Sequence, residues 1–407
     1  MRLNSYKAVI RTGTSKLFMP ALIAFVLLFS ACSKPPSIAK CKKNEGVGKV
    51  VAWSSLKNWN TDQQSKVWPA LLQSCKVLSS KKTEWKTLCE QAKKLDKPDD
   101  AQVRKFFEQY FAPHQVTNDK CTQEGVFTGY FVPTLAGSKV KSKEYKHAIY
   151  SRPLDMLTVR LKSLYPVKLD GMRLRGRVKG TDLIPYYSRS EIEAEKSPLK
   201  GQEIVWVKDP IALFFMHIQG SGYVKLPDGK VITVGYADQN GHPYTAIGRI
   251  LVEQKEIALK DISLQSIRQW MIDNPSKQQQ LMNHNPSYIF FRLIPAPLGA
   301  LNVPLTAGRS IAIDRKKIPL GAPVWIETTY PEMKATNPAL QKLVTDSKSK
   351  IHRLVMAQDT GGAIVGAVRA DVFWGQGENA KLLAGHMNQK GKMFVLLPLP
   401  TAKPQSK

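Results

Sequence analysis

The first hydrophobic feature of the chain is a run from Leu17 to Ala31, broken only by Pro20 and Ser30. Arg2, Lys7, Arg11 and Lys16 precede it with no acid, and it is shorter than a spanning helix, so residues 1–31 read as an export signal. From about residue 51 to Phe111 the apolar spacing is helical. Asp99 and Asp100 are placed to cap free amides, and Val103, Phe106, Phe107, Tyr110 and Phe111 form one stripe that Pro113 ends. Between Val126 and about Val234 the pattern changes to short alternating or apolar runs between Gly, Pro and Asp turns. Strands are predicted at Val126 to Val132, Ala148 to Tyr150, Ile204 to Val207 and Ile211 to Ile218, with a hairpin at Pro227-Asp228-Gly229. Tyr244 to about Asn283 is helical again, with Asp261 or Ser263 as cap, Leu264, Ile267 and Met271 on one face, and an interruption at Pro275. Beyond Pro286 strands are predicted as far as Leu397. This order suits a β-barrel domain that carries an inserted second β domain.

Composition narrows the class. With 407 residues and 43% hydrophobic side chains, the chain carries too much apolar material for disorder. Its length suits two domains, or one large domain with an insertion. The 26 Gly and 26 Pro are ordinary counts, which excludes a collagen-like or low-complexity architecture. The net charge is +28, falling to +24 once the four bases of the export signal are removed. The excess is spread through Lys-rich stretches such as Lys40 to Lys49 and Lys139 to Lys146, a balance that attracts polyanions in general. Export argues against nucleic acid as the partner.

Phe29-Ser30-Ala31-Cys32 resembles a bacterial lipoprotein signal, with Cys32 as the lipidated new N-terminus and Ser33 favouring the outer membrane. Residues 32–50 then read as a tether. Cys41, Cys75, Cys89 and Cys121 remain, an even number in an oxidising compartment, which suggests two disulfides among three connectivities. No Cys-x-x-Cys pair occurs and the seven His are scattered, so no metal is expected. No organic cofactor is implied either.

The usual motifs of serine hydrolases, phosphate-binding loops and zinc proteases are absent. What remains is carboxylates in glycine-framed β segments. Asp314 follows Ser310 to Ile313. Asp359 precedes Thr360-Gly361-Gly362. Asp371 lies in Arg369-Ala370-Asp371-Val372-Phe373-Trp374-Gly375. Each Asp stands at a strand edge, where many such residues only cap turns. Asp371 has the most apolar neighbours, and desolvation there would raise its pKa, as a general acid at neutral pH requires.

Four ordered motifs make these residues less anonymous: Phe127-Thr128-Gly129-Tyr130-Phe131, His217-Ile218-Gln219-Gly220-Ser221-Gly222, Asn285 to Arg292, and the segment with Asp314, Asp359 and Asp371. Together they resemble the membrane-bound lytic murein transglycosylase A family, over roughly Val126 to Leu397. The resemblance implies a mainly β fold with a helical N-terminal region, in which an inserted second β domain interrupts a double-psi β-barrel and a glycan groove runs between them. Barrel and helices are then expected over 51–134, the insert with trailing helices over 135–285, and the rest of the barrel over 286–400. It also implies cleavage of the β-1,4 bond between N-acetylmuramic acid and N-acetylglucosamine, leaving 1,6-anhydromuramic ends, with Asp371 as acid then base and Asp359 in support. Gln219, Ser221, Tyr130, Trp374 and Asp314 are candidate substrate contacts, against the plainer reading of a glycine-framed turn with a satisfied His217. Arg292 is expected in a buried strand, pairing with a carboxylate. Expected partners are peptidoglycan strands, the outer membrane through the lipid anchor, and proteins of wall synthesis or division. Two alternatives stay open: a glycan-binding lipoprotein without activity, and a water-using muramidase with Asp359 or Glu327 as second carboxylate.

Overall fold

The computed structural model describes residues 45–400, apart from 81–82, 162, 166–173, 334–337 and 346–348. The export signal, Cys32 and Cys41 lie outside the described residues. The N-terminal part comprises β1 (Gly46–Val50), three 3-10 turns, α1 (Trp68–Leu78), α2 (Thr83–Lys93), α3 (Asp100–Tyr110) and β2 (Phe111–Thr117). A disulfide between Cys75 and Cys89 ties α1 to α2, and Cys121 is also disulfide-bonded. The capping box forms: Asp99 accepts from the Gln102 amide at 2.8 Å, while the Gln102 side chain accepts from the Asp99 amide at 2.9 Å. Val103, Phe106, Phe107 and Phe111 of the stripe are buried as its spacing predicts and Tyr110 is half-buried, with Phe111 already in β2. The helix stops before Pro113, whose carbonyl accepts from the Val51 amide.

The chain then enters β3 (Gly125–Val132) and passes through Pro133 into β4 (Thr134–Ser138). It continues through β5 (His147–Tyr150), β6 (Leu157–Thr158), β7 (Arg175–Lys179), β8 (Asp182–Pro185), α4 (Arg189–Ile192) and β9 (Glu203–Val207). Next come α5 (Pro210–Gln219), β10 (Ser221–Lys225), β11 (Val231–Gln239), α6 (Ile247–Glu253), α7 (Leu264–Asp273) and α8 (Pro275–Asn283). The last stretch holds β12 (Ile289–Leu293), β13 (Ser310–Ile313), β14 (Pro323–Thr329), α9 (Pro338–Thr345), β15 (Lys350–Asp359), β16 (Arg369–Gln376), α10 (Glu378–His386) and β17 (Asn388–Pro398). Among the described residues no helix is long and apolar enough to cross a membrane.

Six strands close on themselves. β3, β16, β13, β15, β14 and β17 pair in that order, and Asn388 to Gly391 of β17 return to β3. The other half of β17 pairs with β2, which carries β1 at its edge. Alternation along the strands sorts the side chains. Val324 and Ile326 of β14, Val355 and Ala357 of β15 and Val395 of β17 fill one cluster with Phe127 and Val372. Their neighbours Trp325, Leu354, Met356, Phe394 and Leu396 face the other way, onto the helices that carry Trp59, Trp68, Phe106 and Phe107. The N-terminal helices therefore cover the outside of the barrel.

A second sheet has the order β12-β11-β10-β4-β9-β5, and a single bridge from Ser151 to Phe291 brings its two edges together. The hairpin at Asp228-Gly229 forms as expected, with the Leu226 amide donating to the Lys230 carbonyl. Two expectations are corrected here. Ile211 to Ile218 is helical, because Asp209 accepts from the Ile211 and Ala212 amides, Pro210 opens the first turn and Gly220 closes the last at φ +77°. An unbroken apolar run cannot distinguish buried strand from buried helix, so these end signals decide. Ile289 to Leu293 falls in the stretch expected to begin the barrel, yet it pairs with β11 in the second sheet. Arg292 there is exposed and meets the Tyr236 carbonyl, with no carboxylate partner among the described residues.

Candidate active site

The barrel register builds the site. β16 lies between β13 and β3, so Asp371 stands opposite Ala312 on one side and Thr128 on the other. Across a bulge, Ala312 also stands opposite Asp359 of β15. With strands ~4.8 Å apart, the Cα atoms of the two Asp residues are about 10 Å apart. The small Ala312 side chain lies between them, packed in one cluster with Tyr130 and Phe373.

The two carboxylates are held differently. Thr128 Oγ1 donates to Asp371 Oδ1 at 2.6 Å, and Arg369 Nη2 donates to Thr128 Oγ1 at 2.9 Å. Asp371 Oδ2 has no hydrogen-bond partner among the described residues. Asp359 has both oxygens engaged: Oδ1 accepts from the Ala300 and Thr360 amides, each at 2.8 Å, and Oδ2 accepts from the Tyr130 hydroxyl at 2.9 Å. Asp371 is thus the carboxyl with an oxygen to offer.

Burial raises both groups above the usual carboxylate range. For Asp371 it outweighs the Thr128 hydrogen bond and the Arg369 cation, which pull the other way. For Asp359 it prevails over three donors, aided by the Asp371 charge, and brings the carboxyl to about 6. The Tyr130 phenol is pushed well up by burial and then by Asp359, so it remains a neutral donor. Tyr244, 41% exposed, is near enough to feel the Asp371 charge. Its phenol is raised by burial and, against the Arg189 cation, by the Asp371 charge.

The structure brings Asp371, Asp359 and Tyr130 together and distributes the other candidates. Asp314 caps a turn, its carboxylate accepting from the Lys316 and Gly366 amides at 3.0 and 2.9 Å. The Gln219 carbonyl oxygen accepts from the Phe131 amide at 3.0 Å, fastening the end of α5 to β3. Ser221 opens β10, and its hydroxyl has no partner among the described residues. Trp374, three residues from Asp371, points to the opposite face of β16, against Tyr330 at 5.9 Å and beside α10. Glu327 accepts from the Lys57 amide on the helix side of the barrel. His217 is buried against Tyr288 at 4.3 Å, and burial holds it neutral. The fully buried Arg189 ties it to the Asn285 and Ser287 carbonyls.

Thr128 and Arg369, which hold Asp371, do not stand out in the sequence as site residues. Both stand in quoted motifs, and the available signal was their parity: Thr128 is two residues from Tyr130, and Arg369 two from Asp371, so each pair shares a strand face.

Two family models match the chain, the MltA specific insert domain over residues 126–292 and the 3D domain over residues 309–397. The membrane-bound lytic murein transglycosylase A of Escherichia coli (strain K12) is 31% identical over 286 residues, spanning 68% of this chain and 66% of that protein. The crystal structure of a membrane-bound lytic murein transglycosylase from Agrobacterium tumefaciens is similar with a TM-score of 0.75 and 31% identity, over 86% of this chain and 97% of that one. That of MltA from Neisseria gonorrhoeae gives 0.69 and 33%, over 89% and 96%. These relatives are named as lytic murein transglycosylases, and the chain spans about two thirds of the length of the curated one. The chain belongs to the membrane-bound lytic murein transglycosylase A family.

Proposed function

We propose that the protein cleaves the β-1,4 bond between N-acetylmuramic acid and N-acetylglucosamine in peptidoglycan, with Asp371 as the one group that moves protons. The observation that carries this reading is the half-tethered Asp371 carboxyl, with Oδ1 fixed by Thr128, Oδ2 open and burial favouring the protonated form. In the first step Oδ2 gives its proton to the glycosidic oxygen as the bond from that oxygen to the muramic C1 breaks. In the second, the muramic C6 hydroxyl attacks C1 and returns its proton to Asp371. The products are a free 4-hydroxyl and a 1,6-anhydromuramic end, with no water consumed. Intramolecular attack draws on a high effective molarity, so no second protein nucleophile is needed.

Asp359 supports the site without taking part in bond making. All three of its hydrogen bonds come from fixed donors. A muramidase needs a second carboxylate free to attack or to activate water, and a group held in this way suits neither task. The double-psi winding of the barrel, the glycan groove between barrel and second sheet, and an insert that runs on through β12 belong to this reading. So do anchoring through a lipid on Cys32 at the periplasmic face of the outer membrane and contact with wall-synthesis or division proteins. Since acid–base chemistry at one carboxyl suffices, treatment with a chelator is expected to leave turnover intact. The test is product analysis on purified sacculi, with anhydro ends expected.

A further inference from the structure

Trp374 was a candidate sugar contact, but the structure turns it away from Asp371 into a separate cavity of about 870 Å³. That cavity lies behind β16, between the N-terminal turns and one end of the barrel. Its lining includes four full cations, Lys66, Lys350, Arg309 and Arg353, and one carboxylate, Asp62. Arg309 and Asp62 satisfy each other in a two-bond pair at 2.7 and 2.8 Å. Lys66, Lys350 and Arg353 are therefore left without a carboxylate partner among the described residues.

Arg353 is preset for a planar anion. Its guanidinium donates to the Tyr330 hydroxyl at 2.7 Å and to the Gly308 carbonyl at 3.4 Å, and lies over the Tyr330 and Trp374 rings at 6.0 and 5.9 Å. Arginine held against aromatic faces keeps further donors for a carboxylate at little entropic cost. The two rings add apolar wall. A cavity of this size is in the range of sites for whole organic ligands, far larger than a single inorganic anion needs.

Only a short loop separates the cavity from the Asp371 face of β16. The Gly308 amide donates to the Phe373 carbonyl, pinning residues 306–308 to β16. Leu305, just before them, packs with Tyr130 and Phe373 on the Asp371 side, while Thr306 to Gly308 line the cavity. Gly375, at φ +90°, lets the loop approach, since a Cβ there would meet the Ala307 side chain at 2.9 Å.

We propose that this cavity binds an acidic peptide through its carboxylates, the stem peptide of peptidoglycan being the source that fits the reading above, on which the proposal rests. Lys66 and Lys350 at the rim draw the anion in, Arg353 takes a carboxylate, and Tyr330 and Trp374 cover the aliphatic part of the chain.

The test uses the full chain in detergent and a sugar-free stem peptide, followed by calorimetry and tryptophan fluorescence. Saturable binding is expected, at least tenfold weaker in Lys66→Gln with Lys350→Gln and lost when the peptide carboxylates are amidated. Arg353→Gln is expected to abolish it, and the two exposed lysine substitutions keep the test decisive if that variant fails to fold. No binding, binding unchanged in the lysine variant, or inorganic phosphate binding as tightly as the peptide would each overturn the proposal. Cleavage of glycan strands stripped of peptide is measured alongside. Its absence in the unmodified protein counts against the transglycosylase reading alone, because peptide binding is scored separately.

Discussion

Thr128 holds Asp371 by a hydroxyl hydrogen bond of 2.6 Å between two residues that are register partners in parallel strands. The contact is therefore built into the barrel ladder and not into a mobile loop. Its donor favours the ionised carboxylate, opposing burial. Replacing Thr128 with Val removes that opposition and raises the Asp371 pKa further. Because the protonated form starts the reaction, the alkaline limb of the kcat profile should move to higher pH. Loss of a charge-assisted hydrogen bond is worth ~1.5–3 kcal/mol, so kcat itself should fall on the order of tenfold to a hundredfold. Thr128→Ser should restore both position and rate. A profile that does not move in Thr128→Val would contradict the assignment.

Arg369 acts one step behind. It donates to the Thr128 hydroxyl and brings a positive charge near Asp371, and both effects lower the Asp371 pKa. Arg369→Gln should move the alkaline limb in the same direction as Thr128→Val, by less. The double variant should fall short of the sum, because both residues work through one chain of hydrogen bonds. Strict additivity in pH–rate profiles would show two independent routes.

Asp359 gives a stability prediction with a definite sign. Its folded pKa of about 6 lies above the ordinary carboxylate value of 3.8. The folded state therefore binds the proton more tightly than the unfolded chain. That contribution is complete below about pH 4 and is lost as pH rises through 6. Asp359→Asn keeps the shape and never carries the charge, so it should be more stable than the parent at pH 8, by about 1 kcal/mol or more. The gap should close on acidification toward pH 4. Thermal unfolding at several pH values checks this, and a gap that widens on acidification would reverse the argument.

Asp62 and Arg309 form a pair with side chains only 6% exposed, and they also bond the Leu354 amide and carbonyl and the Gln63 carbonyl. Asp62→Ala strands a buried guanidinium and should cost about 3–5 kcal/mol in denaturant unfolding. Asp62→Leu with Arg309→Met should recover much of it. A single substitution with no measurable cost would mean that water satisfies Arg309.

The sequence carried much of this architecture in its periodicity. The α3 stripe, its Asp99 cap and the Asp228-Gly229 hairpin follow from local rules and were legible. Ile211 to Ile218 was misread because a wholly apolar run has no period to measure, although Asp209-Pro210 and Gly220 marked the ends of a helix. Ile289 to Leu293 has a strand pattern, but nothing local says which sheet it joins, since pairing with β11 depends on residues about fifty positions away. The burial of Asp371 was legible from its apolar neighbours. Its partnership with Thr128 was not, because 243 residues separate them and only the closed barrel sets them side by side. Trp374 shows the limit from the other side: chain proximity to Asp371 suggested a shared role, while strand parity sends it to the opposite face.

The central claim is that one carboxyl both gives and takes the proton while the sugar's own hydroxyl attacks. Mass spectrometry of the products released from purified sacculi by the detergent-solubilised full chain tests it most directly, with Asp371→Asn run in parallel. The account predicts muropeptides one water lighter than their reducing counterparts from the parent, and none above background from Asp371→Asn. Reducing muropeptides from the parent, or anhydro products at the normal rate from Asp371→Asn, would contradict it.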